Sequence, residues 1–181
     1  MSQFATSSFL LGLLLAATVG SGQQSAQPKL RVFLNEVQPG AMAAPQYCTL
    51  VFDDHHFHSE KAISKRGQDF DRKVYEGQLS DNDWNSLLVV IDGKDFRDLN
   101  VPPTVPPLVM QDTHPYTFSV ARDRGFQNME FLDAKSMKPY ESQIKPLLQW
   151  WKGVRGQHLV ESNAPKNPQC ALDSSHGIIA Q

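Results

Sequence analysis

Apolar side chains recur at positions i, i+3, i+4 and i+7 after Ser80, which is the spacing of one face of an α-helix. Ser80 is a favourable N-cap, because its hydroxyl accepts a hydrogen bond from an N–H of the first turn. Asp83 lies three residues later and partly completes a capping box. Gly93 ends this predicted helix, and Phe96 with Leu99 predicts one further short turn on the same core. The apolar stripe comprises Trp84, Leu87, Leu88 and Ile91.

A second stripe of the same period follows nearer the carboxyl terminus and predicts a second amphipathic helix. Pro146 falls inside the stripe and removes one helical hydrogen bond, so it predicts either a kink or the true start of the helix. Gly153 or Gly156 ends the helix. The stripe comprises Tyr140, Ile144, Leu147, Leu148 and Trp151.

Elsewhere the hydrophobic pattern has a period close to two, which indicates β-strands. Residues 46–52 have apolar side chains on both faces, so we expect this strand to be central in a sheet. Residues 30–34 alternate poorly and could add a further strand. We therefore expect an α+β domain with an antiparallel sheet of about five strands and two helices on one face, in the order β-β-β-α-β-β-α. The five clearest strands span residues 46–52, 56–62, 72–79, 116–121 and 126–132.

The first 26 residues have the composition of a secretory signal peptide. Residues 9–20 form an apolar run of about 12 residues, shorter than the ~20 that a membrane-spanning helix needs. Residues 1–8 contain no Lys or Arg, unlike the usual basic start of a signal, so a retained anchor is the alternative. We expect a signal peptide over residues 1–26, one domain over 27–156, and a loosely structured tail over 157–181.

The formal net charge is −2, which argues against a nucleic-acid partner, because such proteins carry basic stripes. We expect a secreted or periplasmic protein that does not contact the membrane once the signal is cleaved. In that setting a disulfide between Cys48 and Cys170 is chemically allowed. Two free or buried thiols are the alternative, because sequence alone does not show whether the Cβ atoms approach.

One cluster of residues has the composition of a metal site. His56 and His58 are two residues apart on a predicted strand, so their side chains point to the same side. Neutral imidazoles placed in this way can bind zinc or copper, and Asp53, Asp54 or His114 could add a third ligand, with Asp54 as our candidate. The alternative is a polar hairpin turn with solvent-exposed histidines, because no complete metal-binding framework accompanies the pair.

No motif specifies a catalytic reaction. Cys48 lies within an apolar strand, where burial opposes the thiolate form that a nucleophile needs. The sequence contains neither a G-x-S-x-G elbow nor a Gly-rich phosphate loop. Trp150 lies beside the apolar stripe of the second helix, which makes it a candidate partner surface. Packing beneath a neighbouring loop is the alternative.

Several packing motifs form a wider pattern. Residues 46–55 are a strand and an Asp-rich turn, YEGQLS follows at 75–80, and DFRDL follows the helix at 95–99. This pattern resembles small secreted domains of unknown function from environmental bacteria. In those domains a strand–turn–strand unit precedes a G-x-L-S helix that ends in F-x-x-L. The resemblance covers residues 46–99 and implies an exported bacterial domain without assigning catalytic residues.

We therefore expect an exported, non-catalytic domain that binds a partner protein, an envelope component or a small ligand. The alternative is a metal-binding protein or metal-dependent hydrolase that uses His56 and His58.

Overall fold

The computed structural model describes residues 28–39, 43–65, 71–103, 113–157, 161, 162 and 170. The described chain is α+β, with one antiparallel sheet of six strands and a few helices. The strands are β1 (Leu30–Val37), β2 (Ala43–Phe52), β3 (His56–Lys65), β4 (Asp71–Gln78), β5 (Tyr116–Arg122) and β6 (Gly125–Phe131). The helices are α1 (Asp81–Ile91), α2 (Lys94–Arg97), α3 (Ala134–Met137) and α4 (Glu141–Gly156), with a 3₁₀ turn at Lys138–Tyr140.

The strands follow the order β4-β3-β2-β1-β5-β6 across the sheet. The predicted central position of β2 is confirmed, but the predicted count of about five strands is one too few. The additional strand is β1, which lies between β2 and β5. Val32 and Leu34 pack in the main core, whereas Phe33 packs in a smaller cluster on the other face. Because both faces of β1 are covered, its sequence does not show the alternation of a half-buried strand.

The order of helices differs in part from the prediction: α2 lies at the predicted short turn after Gly93, whereas α3 and the 3₁₀ turn before α4 were not predicted. In α1, Ser80 Oγ accepts a hydrogen bond from the Asp83 N–H over 3.1 Å. The Asp83 carboxylate accepts from the Ser80 hydroxyl rather than from its amide. Pro146 lies inside α4, and a separate 3₁₀ turn precedes that helix.

The four helices share one core with one face of the sheet. Trp151 on α4 is fully buried at the centre of this core. Its indole N–H donates to Thr49 Oγ1 on β2 over 2.8 Å, which satisfies a polar group that burial would otherwise leave unpaired. Side chains of the four helices in the core include Leu87, Ile91, Phe96, Met137, Ile144, Leu147 and Val154.

The opposite face of the sheet carries a second, smaller cluster of Phe33, Cys48, Leu50 and Cys170. A disulfide joins Cys48 to Cys170 across 122 residues of sequence, so the predicted bond is present. Glu161 forms an antiparallel bridge with Tyr75 on β4. The carboxyl-terminal segment thus contacts the sheet at these described positions.

The predicted signal segment and the rest of the predicted tail lie outside the described residues. Within the described part of the chain, no helix is both long and apolar enough to cross a membrane.

Candidate functional site

A group of ionisable side chains lies on the sheet face opposite the helices, at the β3–β4 end. His58 and Glu60 alternate with Phe57 and Ser59, which face the helices. The antiparallel register places Glu76 beside His58. Strand alternation and register therefore bring together charges that are far apart in the sequence.

His58 is the centre of this group and only 2% of its side chain is exposed. Its Nδ1 lies 2.5 Å from Glu76 Oε1, and its Nε2 lies 2.8 Å from Glu60 Oε1. Both ring nitrogens donate only when the imidazole is doubly protonated. Burial by itself lowers the pKa of His58, but the hydrogen bonds to Glu60 and Glu76 outweigh burial and raise it above the ordinary value.

Glu60 accepts hydrogen bonds at both carboxylate oxygens. Arg72 Nη1 donates to Oε2 over 2.8 Å, and the Cys170 N–H donates to Oε1 over 3.1 Å. Burial by itself raises the pKa of Glu60, but the bonds from His58, Cys170 and Arg72 lower it overall. The carboxylate thus joins two strands to the backbone of the disulfide-bonded residue. We call His58, Glu60, Glu76 and Arg72 the Glu60 network.

Within the sequence-predicted metal set, His56 and His58 both contact Glu76, and Asp54 contacts the His56 backbone. His56 lies on the same face as His58, with its Nε2 2.8 Å from Glu76 Oε2. This contact is not an aligned hydrogen bond, because Glu76 Oε2 has no hydrogen-bond partner among the described residues. Asp54 is exposed in the β2–β3 turn, where it accepts from the His56 backbone N–H over 3.0 Å.

A different set of potential ligands lies together. A ring nitrogen of His58, a carboxylate oxygen of Glu60 and Cys170 Sγ are all within 4.8 Å of one another and are buried. The roles of Glu60, Glu76 and Arg72 were missed from the sequence. The sequence feature that could have indicated these roles is the period-two alternation of β3 and β4. It identifies neighbouring side chains only when the register between the two strands is known.

Trp150, the predicted partner surface, is half-buried between two helices. Its indole N–H donates to the Asp83 carbonyl at the start of α1 over 2.8 Å. Among the described residues the exposed large apolar side chains are Val89, 77% exposed, and Phe126, 47% exposed.

A second buried carboxylate, Glu36, lies on the helix-facing side of β1. It accepts from Arg155 Nη1 over 2.7 Å, and His114 Nε2 lies 2.9 Å from its Oε1. Burial of Glu36 by itself raises its pKa, but the bonds from Arg155, Gln38 and His114 lower it. Burial and the nearby Glu36 charge raise the pKa of Tyr116 to about 12. We call this set the Glu36 network.

No protein-family model matches the chain, and no curated protein matches it.

Proposed function

We propose that this chain is an exported, non-catalytic domain that binds a partner protein by adding a strand of the partner to β6. The observation that carries the proposal is the difference between the two edges of the sheet. Edge strands present unpaired N–H and C=O groups, which are a template for another chain unless the protein protects them.

The β4 edge is occupied. The Ser162 N–H donates to the Val74 carbonyl over 2.8 Å, and Glu161 pairs with Tyr75 as an isolated bridge. Lys73 Nζ lies 3.2 Å from a Glu161 carboxylate oxygen at the same edge. At residues 161 and 162 the chain therefore lies alongside β4.

The β6 edge has no such contact among the described residues. The Val37 N–H donates to the Pro115 carbonyl. The odd-numbered residues of β5 therefore direct their backbone N–H and C=O groups toward β1. Even-numbered residues of β5 therefore bond β6 through residues 125, 127, 129 and 131. The backbone groups of Phe126, Asn128 and Glu130 point away from the sheet, and all three side chains are exposed.

The composition of β6 favours an open edge. The strand reads GFQNMEF, which contains no Pro or Lys, and its pairing with β5 continues from Arg122–Gly125 to Tyr116–Phe131 without a bulge. Pro, Lys and bulges are the usual protection of edge strands. Phe126 adds an exposed aromatic side chain beside this edge, suited to contact with a partner.

The internal pairing of the ionisable groups supports a role without catalysis. Glu60 and Glu36 each accept bonds from neighbouring donors, which stabilise the fold rather than a reacting group. The disulfide and the apolar segment at residues 9–20 support export.

A photo-crosslinking side chain at position 126 tests this proposal in two backgrounds. Asn128→Pro removes the outward backbone N–H, whereas Asn128→Ala keeps it and removes only the side chain. We expect an adduct with an envelope or culture-supernatant protein in the Asn128→Ala background that is lost with Asn128→Pro. An adduct with a second copy that is lost in the same way also supports strand addition, with this chain as the strand donor.

The same crosslinker at exposed Gln149 on α4 is the positional control, and thermal unfolding shows that both backgrounds are folded. An adduct that persists with Asn128→Pro contradicts the proposal, as does the absence of any adduct at position 126.

Metal binding is a second candidate, which the proximity of His58, Glu60 and Cys170 favours. A metal-dependent hydrolase is the weaker form of this candidate, because a catalytic metal keeps a position open to water and substrate, whereas these three residues are buried.

A further inference from the structure

We propose that reduction of the Cys48–Cys170 disulfide creates a zinc site formed by the two thiolates, His58 Nε2 and Glu60 Oε1. This inference rests on the metal-binding candidate and is independent of strand addition at β6. It replaces Asp54 and His56 with ligands that the fold brings together.

Three of the four donor groups lie close together, and the fourth is bonded to one of them. His58 Nε2 and Glu60 Oε1 are 2.8 Å apart, and Cys170 Sγ lies within 4.8 Å of its two partners. Cys48 Sγ is bonded to Cys170 Sγ and is therefore one bond away from this group. In tetrahedral zinc the ligand atoms are about 3.3–3.8 Å apart, given Zn–N and Zn–S bonds of about 2.0 and 2.3 Å. Breaking the disulfide frees the two sulfur atoms to move to that spacing.

The surrounding side chains already have the positions that support a zinc-bound histidine. Metal-ligating histidines usually donate their other ring N–H to a carboxylate, which fixes the tautomer. Here Glu76 Oε1 lies against His58 Nδ1, so Nε2 is the nitrogen directed at the site. Arg72 holds Glu60 Oε2 and leaves Oε1 toward the sulfur atoms. Glu76 and Arg72 are thus positioning residues.

The disulfide closes the site because disulfide sulfur carries no negative charge and zinc binds the thiolate. In the oxidised chain only His58 and Glu60 remain, two ligands short of a structural zinc site. Opening needs a two-electron reductant. The thiolate of a dithiol attacks one sulfur and displaces the other protein thiolate, and its second thiolate then attacks the mixed disulfide and displaces the first. This leaves two protein thiols and an oxidised dithiol; a phosphine with water gives the same two thiols and the phosphine oxide.

Zinc binds the deprotonated thiolates and the unprotonated Nε2 of His58, while the Nδ1–H of His58 remains directed at Glu76. The bound Zn²⁺ would then be the cation that faces Glu60. Because metal affinity depends on the deprotonated ligands, binding links the redox state of the disulfide to the metal.

The test titrates the full chain with Zn²⁺ against a chromophoric chelator, before and after reduction with a phosphine that is then removed without oxygen. We expect one Zn²⁺ per reduced chain, bound at least about 100-fold more tightly than by the oxidised chain. Co²⁺ substituted at the site should show the charge-transfer absorption of cobalt–thiolate bonds.

The variants separate this site from the sequence-predicted one. Cys48→Ser with Cys170→Ser, and Glu60→Ala alone, should abolish stoichiometric binding. Glu76→Gln should weaken it about 10–100-fold. Asp54→Asn is the matched control and should leave the affinity within about twofold. Equal affinity in the oxidised chain, no binding after reduction, or binding that survives Glu60→Ala overturns the inference.

Near-UV circular dichroism of buried Trp151 reports whether the reduced chain stays folded. If reduction unfolds the chain, recovery of this signal on adding Zn²⁺ supports the site, because metal binding then supplies folding energy. A chain that stays unfolded with Zn²⁺ contradicts it.

Discussion

Glu36 and Glu60 are both buried carboxylates that accept hydrogen bonds from an arginine and contact a histidine, yet they lie on opposite faces of the sheet. The Glu36 network joins β1 to α4 with aromatic rings around it. The Arg155 guanidinium carbon lies 4.7 Å from the Tyr47 ring centroid and 4.2 Å from the Trp151 ring centroid. This network belongs to the packing of the helix layer.

The Glu60 network consists of alternating charges, Glu76, His58, Glu60 and Arg72, and ends at the backbone of Cys170. Its histidine is 2% exposed, whereas His114 in the Glu36 network is 31% exposed. The same residue types therefore have different consequences. One network stabilises a helix against the sheet, and the other joins a charged cluster to a redox-sensitive bond.

The largest expected effect is on the Glu60 side and comes from removing the disulfide. Replacing Cys48 and Cys170 by serine should lower the free energy of unfolding by about 4–5 kcal/mol, since the bond closes a loop of more than 100 residues. Urea unfolding of the oxidised chain and the double variant measures the loss. A loss below about 1 kcal/mol contradicts the expectation that the bond stabilises the fold.

Removing each carboxylate compares the two networks directly. Glu60→Ala leaves the buried His58 with less opposing charge and should cost about 3–5 kcal/mol. Glu36→Ala should cost about 1–3 kcal/mol, because His114 reaches solvent and Arg155 keeps its contacts with two aromatic rings. Urea unfolding at neutral pH checks the order, and the reverse order contradicts the comparison.

The pH dependence of stability should also differ between the networks. The pKa of His58 is higher in the folded chain than its ordinary 6.5, so its contribution is full below about pH 6.5 and is lost as pH rises through the folded-state value. The pKa values of Glu36 and Glu60 are below the ordinary 4.5. Their contributions are full above about pH 4.5 and are lost as pH falls.

Urea unfolding of the oxidised, metal-free chain across pH tests these signs. His58 faces Glu60 and Glu76, with His56 and Arg72 beside them. His58→Gln should flatten the alkaline decline, and Glu36→Gln should leave that decline in place while reducing the acid decline. If the alkaline decline in stability is unchanged in His58→Gln, another group causes it, and the expectation for His58 is contradicted.

The smallest expected effects are those of two arginine replacements. Arg155→Lys should cost about 1 kcal/mol, because lysine lacks the planar group that stacks between Tyr47 and Trp151. Arg72→Lys should cost about 0.5 kcal/mol or less, because a point charge still reaches Glu60. Thermal unfolding of the two variants checks the difference, and equal shifts would show that stacking adds nothing at Arg155.

Local patterns predicted much of the fold. The cap at Ser80, the stripe through Leu87 and Ile91, and the stop at Gly93 all act within a few residues, so α1 was predictable. β1 was harder to predict because both of its faces are buried, so apolar and polar residues do not alternate along it. The start of α4 could not be predicted from Pro146, because the sequence around it does not show how the preceding turn packs.

The candidate site was only partly predictable. Alternation within β3 placed His56 and His58 on one side, because that relation needs no partner strand. Predicting that Glu76 and Arg72 lie beside His58 and Glu60 needs the β3–β4 register. Predicting that Cys170 lies there needs a contact across 122 residues of sequence. Such contacts depend on the whole fold, and a pattern within one strand does not contain them.

The most direct test of the account is a double-mutant cycle between each carboxylate and the disulfide. Glu60→Gln and Glu36→Gln are each measured with and without Cys48→Ser plus Cys170→Ser, by urea unfolding. We expect a coupling of about 1 kcal/mol or more between Glu60 and the disulfide, and coupling within about 0.5 kcal/mol of zero for Glu36. Equal coupling for the two carboxylates would contradict the claim that only the Glu60 network is joined to the disulfide.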